Sequence, residues 1–277
     1  MQSAGNDFVF IDGRKNRVSI TKHLARRLLH RQWGIGADQL LFLGEPTRRG
    51  MNRSLRVFNP DGSEAQMCGN GVLCIADYIL KNTSANNALI LETQAGLIRA
   101  TRNSRIEVDM GEPILEAARI PVRAKGQVCG EPLHVGGKMF KIFCVSMGNP
   151  HCVIFLDALK NFRLEKYGPL IEHHPFFPER TNVEFVEVHR GGRKARVRVW
   201  ERGAGPTLSC GTGACATLVA GVLSRRLANP CEIKFPGGTL STRWAGDNHV
   251  YLSSRSLGVV FEGQFNLNAM RQEVKNV

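Results

Sequence analysis

Two stretches of this chain are apolar on nearly every side: Gly71 to Lys81, "GVLCIADYILK", and Gly213 to Leu227, "GACATLVAGVLSRRL". A helix that is apolar all round in its first turns must be surrounded by protein. The wrapping is supplied by short alternating or β-branched runs: "ALILET", "LIRAT", "RIEVDM", "KIFCVSM", "HCVIFL", "NVEFVEVH", "ARVRVWE", "EIKF", "TLSTRW", "HVYLSS" and "GVVFEG". Turn signals at Asn59-Pro60-Asp61-Gly62, Pro236-Gly237-Gly238 and Gly246-Asp247-Asn248 separate several of them. The pattern is that of antiparallel sheet and lacks the regular strand-helix alternation of a doubly wound fold. A third helix, Thr21 to Gln32, is amphipathic, with Leu24, Leu28 and Leu29 on one side and basic residues on the other.

Both enclosed helices start at the same kind of turn, Cys68-Gly69-Asn70-Gly71 and Cys210-Gly211-Thr212-Gly213. A polar loop precedes each, "FNPDGSEAQM" in one case and "ERGAGPTLS" in the other. A sheet curled around a central helix, built twice, accounts for the pattern. It predicts a pseudo-twofold molecule with a cleft between its halves, where sites commonly lie.

A chain of 277 residues has room for one large domain or two half-sized ones. No apolar run approaches the roughly 20 residues that cross a bilayer, and the start "MQSAGND" lacks the features of a signal peptide. A cytoplasmic enzyme or binding protein with no membrane partner is therefore expected. Eight cysteines without a secretion signal argue for reduced thiols, most of them small core residues. The formal charge of +13 raises the question of a nucleic-acid partner. However, the basic residues are scattered and the aromatic content is only 7%, so a solvated basic surface that steers an anionic substrate is the better reading.

A glycine-rich turn entering a helix exposes unpaired N–H groups at the positive end of the helix dipole, where a carboxylate can sit. The same position lowers a thiol pKa and favours thiolate. Two such thiols on opposite faces of one α-carbon can invert it: one removes the α-proton and the other returns a proton from the far side. The N–H groups would then stabilise the developing aci-carboxylate, and no lysine-bound aldehyde cofactor is needed. Zinc on Cys68, Cys74, Cys210 and Cys215 is a weaker reading, because gaps of this length around glycine turns are unlike the usual C-x₂₋₄-C knuckle. Cys74 and Cys215 are read as core. A Cys68–Cys210 disulfide runs against a reducing compartment.

The motifs "SAGNDFVFID" (3–12), "GIGADQLL" (34–41), "FNPDGSEAQMCGNG" (58–71), "ETQAGLIRA" (92–100), "VDMGEP" (108–113), "MGNPHCVIF" (147–155), "ERTNVEFV" (179–186), "WERGAGPTLSCGTGACA" (200–216) and "FPGGTLSTRW" (235–244) span nearly the whole chain. In content and order they resemble the diaminopimelate epimerase family, cofactor-independent enzymes that interconvert LL- and meso-diaminopimelate. The resemblance implies an α/β (α+β) fold of two pseudo-symmetric half-domains. Each would be a mainly antiparallel β-barrel around a central helix, with the active site in the cleft between them. The halves would comprise 1–112 plus 256–277, carrying Cys68, and 113–255, carrying Cys210. Cys68 and Cys210 would be the acid/base thiols, with His151 and Glu201 beside them as support. The N–H groups of Gly69, Asn70, Gly211 and Thr212 would hold the α-carboxylate. Asn6, Gln39, Asn59, Asn149, Asn182, Glu201 and Arg202 would line the substrate pocket. A homodimer without metal or other cofactor is implied as well.

The pocket set is chemically coherent for a substrate with an ammonium and a carboxylate at each end. Asn and Gln donate and accept without adding charge, Arg202 can fork onto the distal carboxylate, and Glu201 can accept from an ammonium. Outside the resemblance, Asn59 and Asn149 read equally as turn residues beside proline, His151 as a structural histidine and Glu201-Arg202 as a surface ion pair. The chain departs from the family pattern at Leu73, where arginine is frequent, in its basic charge, and in starting a few residues inside the usual first strand. A proline racemase type is the nearest rival, although such enzymes carry histidine where this chain has Asn70 and lack the "ERGAG" loop. A basic nucleic-acid or metal-binding protein with purely structural glycine turns is a rival of another class.

Overall fold

A computed structural model describes residues 1–14, 18–81, 87–255 and 257–265. The chain divides into two compact units, one holding Met1–Ile106 and the described residues beyond 255, the other Glu107–Arg255. Ser256 and 266–277, assigned to the first half by the sequence reading, lie outside the described residues. Four α-helices occur among the described residues: α1 (Lys22–Leu29), α2 (Gly69–Leu80), α3 (Leu164–Glu172) and α4 (Gly211–Leu223).

In unit one, Asn6–Asp12 runs parallel to Gln39–Gly44, with Phe8 opposite Gln39. Arg53–Phe58 pairs antiparallel on the far side of Gln39–Gly44 and leads in parallel to Ala88–Thr93, which forms a hairpin with Gly96–Arg102. The short strand Gln2–Ser3 closes the other flank, held between Asn6-Asp7 and Leu257-Gly258. Helix α2 packs against strands from both flanks, and every residue from Gly69 to Ala76 is buried.

Unit two repeats the plan. Pro150–Leu156 runs parallel to Asn182–Val188, with His151 opposite Asn182. Lys194–Glu201 follows antiparallel, then Cys231–Phe235 in parallel and its hairpin partner Gly238–Trp244. Val250–Ser254, paired with Glu107 to Asp109, extends one flank, and Lys138–Ser146 with Cys129–Val135 extends the other. Helix α4 touches strands of both flanks and is buried from Gly213 to Gly221. The fold is thus the expected sheet-rich α+β type with a helix inside each curled sheet.

Parallel pairs were not read from the sequence, yet each unit carries two. Parallel neighbours need a long crossover, usually helical, and α1 and α3 lie in the two equivalent crossovers. Helix α1 buries Leu24, Ala25, Leu28 and Leu29 against Val9, Ile11 and Leu40. Thr21 caps it by accepting the Leu24 N–H at 3.2 Å. The helix stops at Leu29, short of Gln32, because the chain folds back onto its own end: the N–H groups of Ile35 and Gly36 donate to Leu28 O. A Cβ on Gly34 would lie 1.9 Å from Arg27 O, so only glycine allows that return.

Helix α3 was missed because Gly168-Pro169 reads as a breaker. Its glycine serves packing: a Cβ there would meet the Trp200 ring at 2.5 Å. Leu164 and Ile171 then join the core of Phe140, Ile142, Ile154 and Phe185. The strands "NDFVFID", "QLLFLG", "RSLRVF" and "CGEPLHV" also escaped the sequence reading. Conversely, "GVVFEG" is not a full strand: pairing stops at Gly258, and Val260 and Phe261 are 72% and 80% exposed.

Candidate active site

Both enclosed helices begin directly after the cysteine, two residues earlier than their apolar pattern suggests. Cys68 and Cys210 are the N-caps, with nearly the same backbone: φ −136°, ψ 112° and φ −137°, ψ 118°. The first N–H groups of each helix have no acceptor within it. In unit two the Gly213 N–H donates to Cys210 Sγ at 3.3 Å, and the Thr212 hydroxyl lies 3.4 Å from the same sulfur. Gly211 and Thr212 thus supply first-turn donors beside the thiol. The last glycine of each motif is required by close approach. A Cβ at Gly71 would lie 2.7 Å from Leu41 Cδ2, and one at Gly213 would lie 2.6 Å from Glu184 Oε1.

In unit one, Asn70 is buried and its amide donates to Asn6 Oδ1 at 2.7 Å. Gln39 donates to Asn59 Oδ1 at 3.0 Å, while the Asn59 amide donates to the Ser63 hydroxyl. Asn6 and Gln39 are each next to a carboxylate held by Arg31. The guanidinium donates twice to Asp7, at 2.8 and 2.9 Å, and once to Asp38 at 2.8 Å. Burial would raise the Asp7 pKa, but hydrogen bonds from Arg31 and from Asp38 hold it below its ordinary value. The clamp ties together the two loops that present Asn6 and Gln39.

In unit two, His151 is fully buried between two oxygens. Its Nδ1 lies 2.7 Å from Glu184 Oε1 and its Nε2 lies 2.9 Å from Asn149 Oδ1. Asn182 is a brace: its amide donates to Pro150 O, and its oxygen accepts the Arg202 N–H, both at 2.9 Å. Arg202 is exposed and also donates to Glu179 O. Glu201 accepts the Thr207 hydroxyl.

The expected thiolate is reversed at Cys210. Burial, then the charges of Glu201 and Glu184, push this thiol well above its ordinary range, against smaller lowering from the Thr212 hydroxyl and the Gly213 N–H. The helix N-terminus does act as anticipated, but two carboxylates and desolvation outweigh it. Cys74 and Cys215 are core residues as expected, and burial pushes Cys74 up to about 12.

Two buried carboxylates beside the site were not picked out from the sequence. Glu184 lies within an apolar strand, "NVEFVEV", at an inward position, and that misplaced charge was the available signal. Glu172 closes α3 and is buried, accepting the Trp200 indole N–H at 2.7 Å and the Gly203 N–H at 2.9 Å. It thereby fixes both sides of the Glu201-Arg202 pair. Glu172→Ala strands two donors and should lower the unfolding free energy by about 2–5 kcal/mol. Denaturant midpoints measure this, and an unchanged midpoint would show that the loop does not depend on Glu172.

Comparison with known proteins adds to the geometry. The diaminopimelate epimerase family matches residues 1–116 and 143–257. A diaminopimelate epimerase of Picosynechococcus sp. is 44% identical over 276 residues, covering 96% of this chain and 97% of its own. One from Carboxydothermus hydrogenoformans is 45% identical over 271 residues with the same coverages, 96% and 97%. Among solved structures, a hydroxyproline epimerase from Agrobacterium vitis superposes with a TM-score of 0.64 at 16% identity, covering 91% of this chain and 86% of that one. A probable proline racemase from Agrobacterium radiobacter gives 0.63 at 17% identity, covering 88% and 81%. At such identities these two structures speak to the fold alone.

Proposed function

Because the chain belongs to the diaminopimelate epimerase family, we propose that Cys68 and Cys210 are the acid/base pair of its reaction. That reaction is the isomerisation of diaminopimelate between its LL and meso forms, a step of lysine biosynthesis. The observation that carries the assignment is the twice-used cap: two cysteines with nearly the same φ and ψ, each heading a buried helix.

Inversion of one carbon needs a base on one face and an acid on the other. Two copies of one cap, one in each unit, meet that need with a single local structure. As the α-proton leaves, charge develops on the carboxylate, where the first-turn N–H groups of Gly69, Asn70, Gly211 and Thr212 would receive it. Preorganised donors of this kind contribute about 10²- to 10³-fold each. Asn6, Gln39, Asn59, Asn149 and Asn182 would orient substrate by amide hydrogen bonds, with Glu201 taking an ammonium and Arg202 the distal carboxylate. The scheme uses no metal or other cofactor.

The same reading makes the protein a cytoplasmic homodimer. No helix among the described residues is long and apolar enough to cross a membrane. The exposed apolar run Val259 to Phe261 is a surface that a second copy could cover.

Incubation of reduced protein with LL-diaminopimelate in deuterated water tests the mechanism. Meso product carrying one α-deuterium per inversion is expected. Product that keeps its protium would defeat a scheme in which the incoming proton comes from a solvent-exchanged thiol.

A further inference from the structure

The internal repeat permits a comparison of the two half-sites position by position. The register that sets Phe8 opposite Gln39 in unit one sets His151 opposite Asn182 in unit two. Two residues further along each second strand lie Leu41 and Glu184. These are the side chains that a Cβ on the last glycine of each motif would strike, Leu41 at Gly71 and Glu184 at Gly213. Phe8 and Leu41 are thus the counterparts of His151 and Glu184. All four are buried, at 4%, 0%, 0% and 0% exposure respectively.

The fold therefore accepts an apolar pair at this place, and unit one has one. A buried hydrogen-bonded His–Glu pair is commonly no more stabilising than a well-packed apolar pair, so stability does not explain its presence in unit two. Glu184 is also incompletely satisfied: among the described residues its second oxygen has no hydrogen-bond partner. A group kept at such cost needs another reason, and its position supplies one. The site where a Cβ on Gly213 would stand is 2.6 Å from Glu184 Oε1 and 3.3 Å from Cys210 Sγ, so the two atoms lie within about 6 Å of each other.

We propose that Glu184 is a positioning residue that makes the two half-sites unequal. Seated on His151 and against the first turn of α4, it keeps Cys210 as the resting thiol, the proton donor, and leaves Cys68 as the first base. The inference rests on the assignment of both cysteines as acid/base groups. In the first half-turnover the substrate Cα–H bond breaks and its proton passes to the Cys68 sulfur. A proton leaves Cys210 Sγ for the opposite face of Cα, so one thiol and one thiolate remain, exchanged between the two cysteines. Glu184 acts twice in this scheme. Its negative charge opposes thiolate at Cys210, together with Glu201. It also seats His151, whose Nδ1 lies 2.7 Å from Glu184 Oε1 and whose Nε2 lies 2.9 Å from Asn149 Oδ1, and so fixes the ring against the Asn149 amide.

The charged groups that bear on the Cys210 sulfur are Glu184 and Glu201, joined by the Thr212 hydroxyl and the Gly213 N–H. The Cys152 thiol on the strand that carries His151 is raised chiefly by burial and by Cys144, with a smaller contribution from the charge of Glu184. Replacing Glu184 by glutamine removes one of the two negative charges and keeps the shape.

The test measures the pH dependence of alkylation of Cys210 and of Cys68 by iodoacetamide, read by peptide mass spectrometry on the reduced full chain. In Glu184→Gln the midpoint for Cys210 should fall by about one pH unit, with the basic limb of kcat/KM for diaminopimelate moving the same way. A folded Glu184→Gln with an unmoved Cys210 midpoint, or with an equal downward shift at Cys68, overturns the inference. Should that variant fail to fold, His151→Phe with Glu184→Leu copies the packing of unit one and is read by the same alkylation profile. Cys210→Ala separates the two levels. If it still epimerises, the acid/base assignment itself falls. If it does not and the alkylation profile of Glu184→Gln is unchanged, only the role of Glu184 falls.

Discussion

Cys210→Ala is expected to lower the rate of meso-diaminopimelate formation by about 10²- to 10⁴-fold, the usual contribution of a positioned acid/base group. The reason is geometric. With Cys210 absent, the α-proton can still be removed from one face, but no acid stands on the other. Any residual α-deuterium exchange must therefore be confined to one configuration, and Cys68→Ala must leave exchange confined to the other. Alanine deletes only the sulfur, whose hydrogen bonds among the described residues are with the Thr212 hydroxyl and the Gly213 N–H. Thermal unfolding should consequently move little. Retention of epimerisation within tenfold of the wild type in either variant would exclude a two-thiol mechanism.

The second large effect belongs to a residue that carries no functional group. Gly213→Ala places a methyl 2.6 Å from Glu184 Oε1, 3.2 Å from Cys210 Cβ and 3.3 Å from Cys210 Sγ. Something must give, and nearly everything nearby is buried. Overpacking of this kind costs about 1–3 kcal/mol. The displaced atoms are the thiol and the carboxylate behind it, so kcat should drop by about 10²-fold, as small misplacements in an active site do. Gly71→Ala is the informative companion. Its methyl meets Leu41 Cδ2 at 2.7 Å, the far end of a flexible side chain, and stays 3.6 Å from Cys68 Cβ. Comparable loss of stability with a smaller loss of kcat is expected there. If activity fell equally in both variants, the two glycines would be bearing on the helix start rather than on particular neighbours.

Much of this was legible in the sequence where the physics is local. The apolar faces of α2 and α4 and the cysteine-glycine turns identify enclosed helices with donors at their heads, and the structure has both. What escaped depends on distant partners. Gly168-Pro169 reads as a stop, yet α3 continues through it because Trp200, 32 residues away in sequence, needs a bare Cα to pack upon. The strand "NDFVFID" pairs in parallel across a helical crossover, and alternation within the strand carries no trace of that partner. The thiolate expected at Cys210 followed correctly from the helix dipole. It was overruled by burial of the thiol and then by the charges of Glu201 and Glu184, which reach the sulfur only through the folding of two strands. Glu184 itself was in plain view as a charge at an inward strand position, and the repeat could have exposed it by alignment with Leu41.

The pairing of Gln2-Ser3 with Leu257-Gly258 also has a consequence for synthesis on the ribosome. Unit two is one uninterrupted run of chain, whereas the sheet of unit one receives its strand at 257–258 only after all of unit two has been made. Domains tend to fold as they emerge. Here the unit encoded first is completed last. Until Leu257 arrives, the outer edge of Gln2-Ser3 and the side of α2 that meets Leu257-Gly258 remain uncovered. The nascent enzyme thus passes through a stage in which the Cys210 half is finished while the Cys68 half still awaits the strand at Leu257-Gly258.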